Sequence, residues 1–113
     1  FLLITHFIIL KYNNIIKMNV KIIDSTAKNK RLTAIFTDDK GKKVKTTNFG
    51  FKGGSTFIDH KDETKKKNYL ARHRARENWN DYMSAGSLAR FILWNKPTLT
   101  ESIKDYKKRF NLS

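Results

Sequence analysis

The chain has 113 residues, the size of a single domain. It contains 24 Lys and Arg residues against 10 Asp and Glu residues, a formal net charge of +14, and such a surplus attracts polyanions such as nucleic acid, anionic membrane or an acidic protein. The absence of cysteine excludes disulfides and thiolate zinc sites. Functional charge and the codon bias of an AT-rich genome both explain the surplus at this point.

The first seventeen residues, FLLITHFIILKYNNIIK, differ from the rest and precede Met18, where an orderly pattern begins. The apolar run 1–10 is too short for a membrane-spanning helix, which needs about 20 residues, and it lacks the marks of a secretory signal. We expect 1–17 to be an upstream-translated or non-native extension and 18–113 to form one basic domain. The alternatives are an apolar anchor or strand, or a fragment of a longer chain. Without Lys11 and Lys17, 22 basic residues against 10 acidic ones still leave +12.

From Met18 to about Gly50 the apolar residues alternate with polar ones, as in β-strands. The sequence Asp38-Asp39-Lys40-Gly41 predicts a hairpin turn, because glycine tolerates the positive φ that such a turn needs. Residues 42–49 are then the returning strand. Residues 48–56 follow as a loop, in which we interpret Gly53-Gly54 as a plain turn. Three aromatic residues are expected to fill the junction between sheet and helices: Phe49, Phe51 and Phe57.

A helical period begins near Asp62. Asp62 or Thr64 is expected to cap a helix running to about Asn78, with an apolar face that includes Tyr69. Basic residues lie on both sides of that face. The first ridge consists of Lys65, Arg72 and Arg76, and the second ridge of Lys67 and Arg74. The predicted polyanion-binding residues are these five with Lys66: Lys65, Lys66, Lys67, Arg72, Arg74 and Arg76.

Two further helices follow. Ser84 is expected to cap a helix over 85–94 that is apolar almost all round, which is typical of a buried or interface helix. Its Leu93 and Trp94 are candidate interface anchors. Thr98 and Glu101 form a capping-box pattern before a third helix with a narrow apolar stripe. The predicted fold is α+β, a small antiparallel sheet of about three strands followed by about three helices that cover one face.

Several short motifs from Met18 onward resemble a family of small basic proteins of unknown function encoded by giant DNA viruses, of the mimivirus and chlorella-virus kind. The likeness covers about 18–112. The resemblance implies a viral origin and a start at Met18, and it carries no assigned catalytic residues. The motifs are Lys30-Arg31, Thr46–Gly50, Tyr69–Arg74, Glu77–Asp81, Ala85–Leu88, Ile92–Trp94 and Asp105–Phe110.

No residue pattern amounts to an active site. His73 and Glu77 are one helical turn apart, but a metal site needs three or more ligands and no second such pair is evident. We therefore predict no catalytic residues, no metal, no cofactor and no small-molecule substrate; a metal-dependent enzyme is the weakest alternative.

The predicted function is non-catalytic binding of nucleic acid, DNA ahead of RNA, or of another polyanion. Such binding would be directed to the backbone and largely independent of sequence. The main alternative is a virion structural or interaction protein that bridges acidic viral proteins or capsid surfaces. Either role predicts an intracellular location, in a viral factory, or a place in the virion.

Overall fold

A computed structural model describes residues 17–113, in which three antiparallel strands form one sheet. The strands are β1 (Asn19–Asp24), β2 (Lys30–Thr37) and β3 (Lys43–Phe51), in the spatial order β1-β2-β3. Val20 of β1 lies opposite Phe36, and Leu32 of β2 lies opposite Phe49. Because side chains alternate between the two faces of a strand, this register places these four buried residues on one face.

The predicted turn joins β2 to β3. Asp38 Oδ1 accepts hydrogen bonds from the backbone N–H groups of Lys40 (3.0 Å) and Lys42 (2.8 Å). Gly41 adopts a φ of 83°, which favours glycine. The short side chain of Asp38 thus stabilises the turn by accepting from backbone N–H groups two and four residues ahead.

Four helices follow the sheet, which confirms the α+β fold class. They are α1 (Phe57–His60), α2 (Glu63–His73), α3 (Ala85–Leu88) and α4 (Leu99–Arg109), and α3 continues into a π-helical turn over Ala89–Leu93. Three predicted N-caps are present. Asp62 accepts from Thr64 N–H (2.9 Å) and Lys65 N–H (3.2 Å), Ser84 from Ser87 N–H (3.1 Å), and Thr98 from Glu101 N–H (3.2 Å).

The helix α2 ends at His73, earlier than the predicted end near Asn78. The chain beyond it contains side chains that compete for backbone N–H groups. Asn78 Oδ1 accepts from Asn80 N–H (3.2 Å), and Asp81 Oδ1 accepts from Met83 N–H (3.3 Å). Such local bonds favour turns over helix in 78–83. Directly after His73 the chain already turns, with the N–H groups of Arg76 and Glu77 both donating to the His73 carbonyl at 3.1 Å.

The short helix α1 was not predicted, and a network of polar side chains ties it to the sheet. Arg31 of β2 donates to both carboxylate oxygens of Asp59, each at 2.7 Å. Asp59 Oδ2 also accepts from the backbone N–H and the hydroxyl of Thr56, both at 2.8 Å. The guanidinium of Arg31, first through its hydrogen bonds, holds the pKa of Asp59 well below its usual range.

The core lies between the sheet and the helices. The Tyr106 side chain is fully buried, and its hydroxyl donates to the carbonyl of Tyr82. Thr47 of β3 donates its hydroxyl to the Met83 carbonyl at 2.7 Å, which fixes the α2–α3 connection on the sheet. Phe49 and Phe57 are buried as expected. The expectation for Phe51 was wrong, because this side chain is 66% exposed at the end of β3.

The predicted extension 1–17 lies outside the described residues, apart from Lys17. Within 17–113, no helix combines the length and the apolar character needed to cross a membrane.

Candidate polyanion-binding surface

The helix α2 concentrates positive charge because its carboxylates are confined to its start. Asp62 is its N-cap and Glu63 its first residue. No acidic residue occurs from 64 to 76, while six basic residues do. Lys, Leu and Ala are strong helix formers, so this composition also favours the helix itself.

The two ridges lie on different sides of α2, as the helical period predicted. Lys65 and Arg72 of the first ridge line one shallow cleft together with Asn68. Lys67 and Arg74 of the second ridge line another, with Leu70 between them. Members of each pair are seven residues apart, about two helical turns, which places their side chains in one row. Arg76 follows α2 in the turn after the helix and is exposed.

Lys66 does not belong to either ridge. Its Nζ donates to the Asn95 backbone carbonyl at 2.6 Å and lies 4.7 Å from the centroid of the Phe57 ring. Burial lowers the pKa of this amine below its ordinary value. Lys66 therefore joins α2 to the segment before α4, and its charge is already engaged with the protein.

The five ridge residues carry charge that the described part of the protein does not neutralise. Within 17–113 the ion pairs are Arg31–Asp59, His73–Glu77 and Arg109–Asp105. None of them involves a ridge residue, and all five ridge side chains are exposed. Exposed and unneutralised cations on one helix create a positive potential that favours an approaching polyanion.

Arg90 is a cation near this surface that was not among the predicted site residues. It is half-buried, its Nη1 donates to the Trp94 carbonyl at 2.9 Å, and its guanidinium lies 5.5 Å from the Trp79 ring centroid. Burial lowers its pKa, and the neighbouring charges of Arg109 and Arg74 lower it further. Its position as the one charged residue of an otherwise apolar helix was the available signal.

A stack of aromatic rings supports the inner side of α2. Tyr69 lies between His73 (centroids 4.2 Å apart) and Trp94 (4.3 Å, planes 4° apart), and His60 approaches Trp94 at 5.4 Å. Burial raises the pKa of Tyr69 to about 12, so its hydroxyl stays protonated at neutral pH. These rings fix the helix that presents the ridges.

The two candidate interface residues are placed differently from each other. Leu93 is 1% exposed and belongs to the core, where it packs against Gly50, so a partner cannot reach it in this fold. Trp94 is half-buried, and Tyr69 covers one face of its indole. Leu93 and Trp94 therefore do not form one exposed anchor in this fold.

His73 and Glu77 do meet, at 3.7 Å between Nδ1 and Oε1. In the part of the chain that the structure describes, no third His, Asp or Glu joins them or any other pair in a group that could hold a metal. Glu77 lies against the backbone of Gly86, where a Cβ atom would come within 1.9 Å of its Oε2. Glycine at this position therefore permits the close approach.

Part of the chain matches a known protein family. Residues 20–73 are similar to the family described as "Family of unknown function (DUF5754)". The matched segment spans the sheet, α1 and α2, and it includes Lys65 and Arg72 but ends before Arg74. No curated protein and no solved structure matches the chain.

Proposed function

We propose that this protein binds nucleic acid or another polyanion through the two ridges of α2, without catalysing a reaction. The observation that carries the proposal is the set of five exposed cations on and just after one helix, none of which is ion-paired within 17–113. Lys and Arg side chains contact phosphates regardless of base sequence, so the binding is directed to the nucleic-acid backbone.

Duplex DNA is the partner we propose ahead of RNA. The support is the resemblance of the sequence motifs to proteins of giant DNA viruses, which also makes a viral factory or the virion the proposed location.

The test compares two variants that lose the same charge. Arg72, Arg74 and Arg76 are replaced by Ala in one, and three exposed lysines of the β2–β3 hairpin, Lys40, Lys42 and Lys43, are replaced in the other. Duplex DNA binding is measured at low salt by fluorescence anisotropy. We expect the ridge variant to lose at least tenfold in affinity and the hairpin variant less than threefold. Equal losses would show that net charge, not the ridges, governs binding.

A virion structural or interaction protein is the second candidate, and the exposed apolar side chains of the sheet favour it. Ile23, Val44 and Phe51 are 37%, 49% and 66% exposed. The strand register places Ile23 on the face opposite Val20 and Phe36, Val44 at the irregularity beside Phe36, and Phe51 opposite Lys30 at the end of β3. Stable oligomers at low salt without DNA retention, measured by light scattering, would favour this role over the first.

A further inference from the structure

The first ridge faces a small cleft beside α1, which we call the α1–α2 cleft. Its volume is about 190 Å³. This is smaller than the roughly 300–1,000 Å³ of sites for drug-sized ligands, so it suits a compact group. The lining residues are Ser55, His60, Lys65, Asn68, Arg72 and Trp94.

The polar lining of this cleft is rich in hydrogen-bond donors. Lys65 and Arg72 bring two positive charges, and Asn68 lies between them on the same side of α2. Ser55 adds a hydroxyl from the chain before α1. No carboxylate is among the lining residues. The cleft therefore suits a group with several acceptor oxygens and negative charge.

His60 also lines the cleft, and one of its ring nitrogens is buried. Its Nδ1 accepts a hydrogen bond from Asp62 N–H at 2.9 Å, so in the neutral ring the proton is on Nε2. Nε2 is buried and has no hydrogen-bond partner among the described residues. Because Nε2 is shielded from solvent, the donors that a ligand in the cleft reaches directly are those of the exposed lining residues, Ser55, Lys65, Asn68 and Arg72.

We propose that the α1–α2 cleft binds a phosphate monoester as its dianion. This inference deepens the proposed function and rests on it for the role of the first ridge. A phosphate monoester carries a charge of about −1.5 to −2 at pH 7 and three acceptor oxygens, which match two cations and the neutral donors around them. An internal phosphodiester, which the ridge cations contact along a strand, has a single charge and two free oxygens and so leaves more of the donors of the cleft without a partner. The same group comes from free phosphate or from the terminal phosphate of a nucleic-acid strand.

The test uses the full chain and the fluorescence of Trp94, which lines the cleft. Trp79→Phe leaves Trp94 as the single tryptophan, because the chain has two. Inorganic phosphate is titrated at constant ionic strength. We expect a saturable change, at least fivefold weaker in Lys65→Gln and in Arg72→Gln, and within twofold of the parent in Lys42→Gln, a hairpin residue. Far-ultraviolet circular dichroism confirms that each variant is folded.

The proposal is overturned if the titration shows no saturable change in fluorescence. It is also overturned if Lys67→Gln, which removes the same charge from the second ridge, weakens phosphate binding as much as Lys65→Gln does. Once saturation is seen, oligonucleotides identify the source. Tighter binding of a 5′-phosphorylated strand than of its 5′-hydroxyl form assigns the cleft to nucleic-acid ends, and equal binding assigns it to free phosphate. Salt-dependent duplex binding without phosphate saturation refutes the cleft and keeps the proposed function. Phosphate saturation without duplex binding keeps the cleft and refutes the proposed function.

Discussion

The salt dependence of DNA binding measures how many ridge residues contact phosphates. Each neutralised phosphate of duplex DNA contributes about −0.9 to the slope of log K against log salt concentration, so five ridge residues give a slope of about −4.5. Raising monovalent salt from about 50 to about 200 mM should then weaken binding about 500-fold. Lys66 is left out of this count because its Nζ is bound to the Asn95 carbonyl.

Replacing Arg72, Arg74 and Arg76 by Ala leaves two ridge residues, Lys65 and Lys67. The slope should fall to about −1.8, so the same rise in salt should weaken binding only about 12-fold. The assay is fluorescence anisotropy of a labelled duplex across the salt series. The variant with Ala at Lys40, Lys42 and Lys43 is the control and should keep a slope near that of the unchanged protein. A slope shallower than about −2 for the unchanged protein, or an equal reduction by the control, would refute the reasoning.

Three further predictions concern residues that hold the site in place. Lys66→Met should lower the free energy of unfolding by about 1–2 kcal/mol, because a charged hydrogen bond is lost, and should leave the salt slope unchanged. Urea denaturation measures the first effect and the anisotropy series the second. A flatter salt slope would place Lys66 on the binding surface. Tyr106→Phe should cost about 1–3 kcal/mol, because the Tyr82 carbonyl loses its buried donor, and an unchanged urea midpoint would contradict this bond. Asp59→Asn should cost about 1 kcal/mol at pH 7, a figure reduced because the carboxylate is 36% exposed. Since the folded-state pKa of Asp59 is lowered, its contribution is present above the unfolded pKa of about 3.9 and is lost as pH falls below it. The difference in the free energy of unfolding between Asp59→Asn and the unchanged protein, measured by urea denaturation, should therefore narrow below about pH 4. A difference that widens there would contradict a lowered pKa of Asp59.

Local patterns predicted the sheet and the helix starts well. The alternation around Val20 and Phe36 determines which face is buried, and a one-residue slip would move the buried side chains of a strand to its other face. Asp62, Ser84 and Thr98 are caps because their short side chains reach backbone N–H groups two or three residues ahead, a relation that the sequence displays directly.

The features that were missed have different origins. After His73 the chain turns, and the N–H groups of Arg76 and Glu77 both donate to the His73 carbonyl. The helical period of the sequence does not show this early end. The π-helical turn at Ala89–Leu93 has no comparable local signal. Lys66 is different, because it lies three residues before Tyr69 and seven before His73. The helical period therefore places it on the inner face, and this signal was available in the sequence.

Four carboxylates of the protein have local partners and do not pair with the ridges. Asp38, Asp62 and Asp81 accept hydrogen bonds from nearby backbone N–H groups and so stabilise a turn, a helix start and a connection. Asp59 is held by Arg31 and Thr56. Carboxylates used in this way are fixed close to their own backbone and cannot reach across to the ridges. The fold thus leaves the cations of α2 to interact with solvent or a partner, and their clustering makes a polyanion the partner that gains most from binding there.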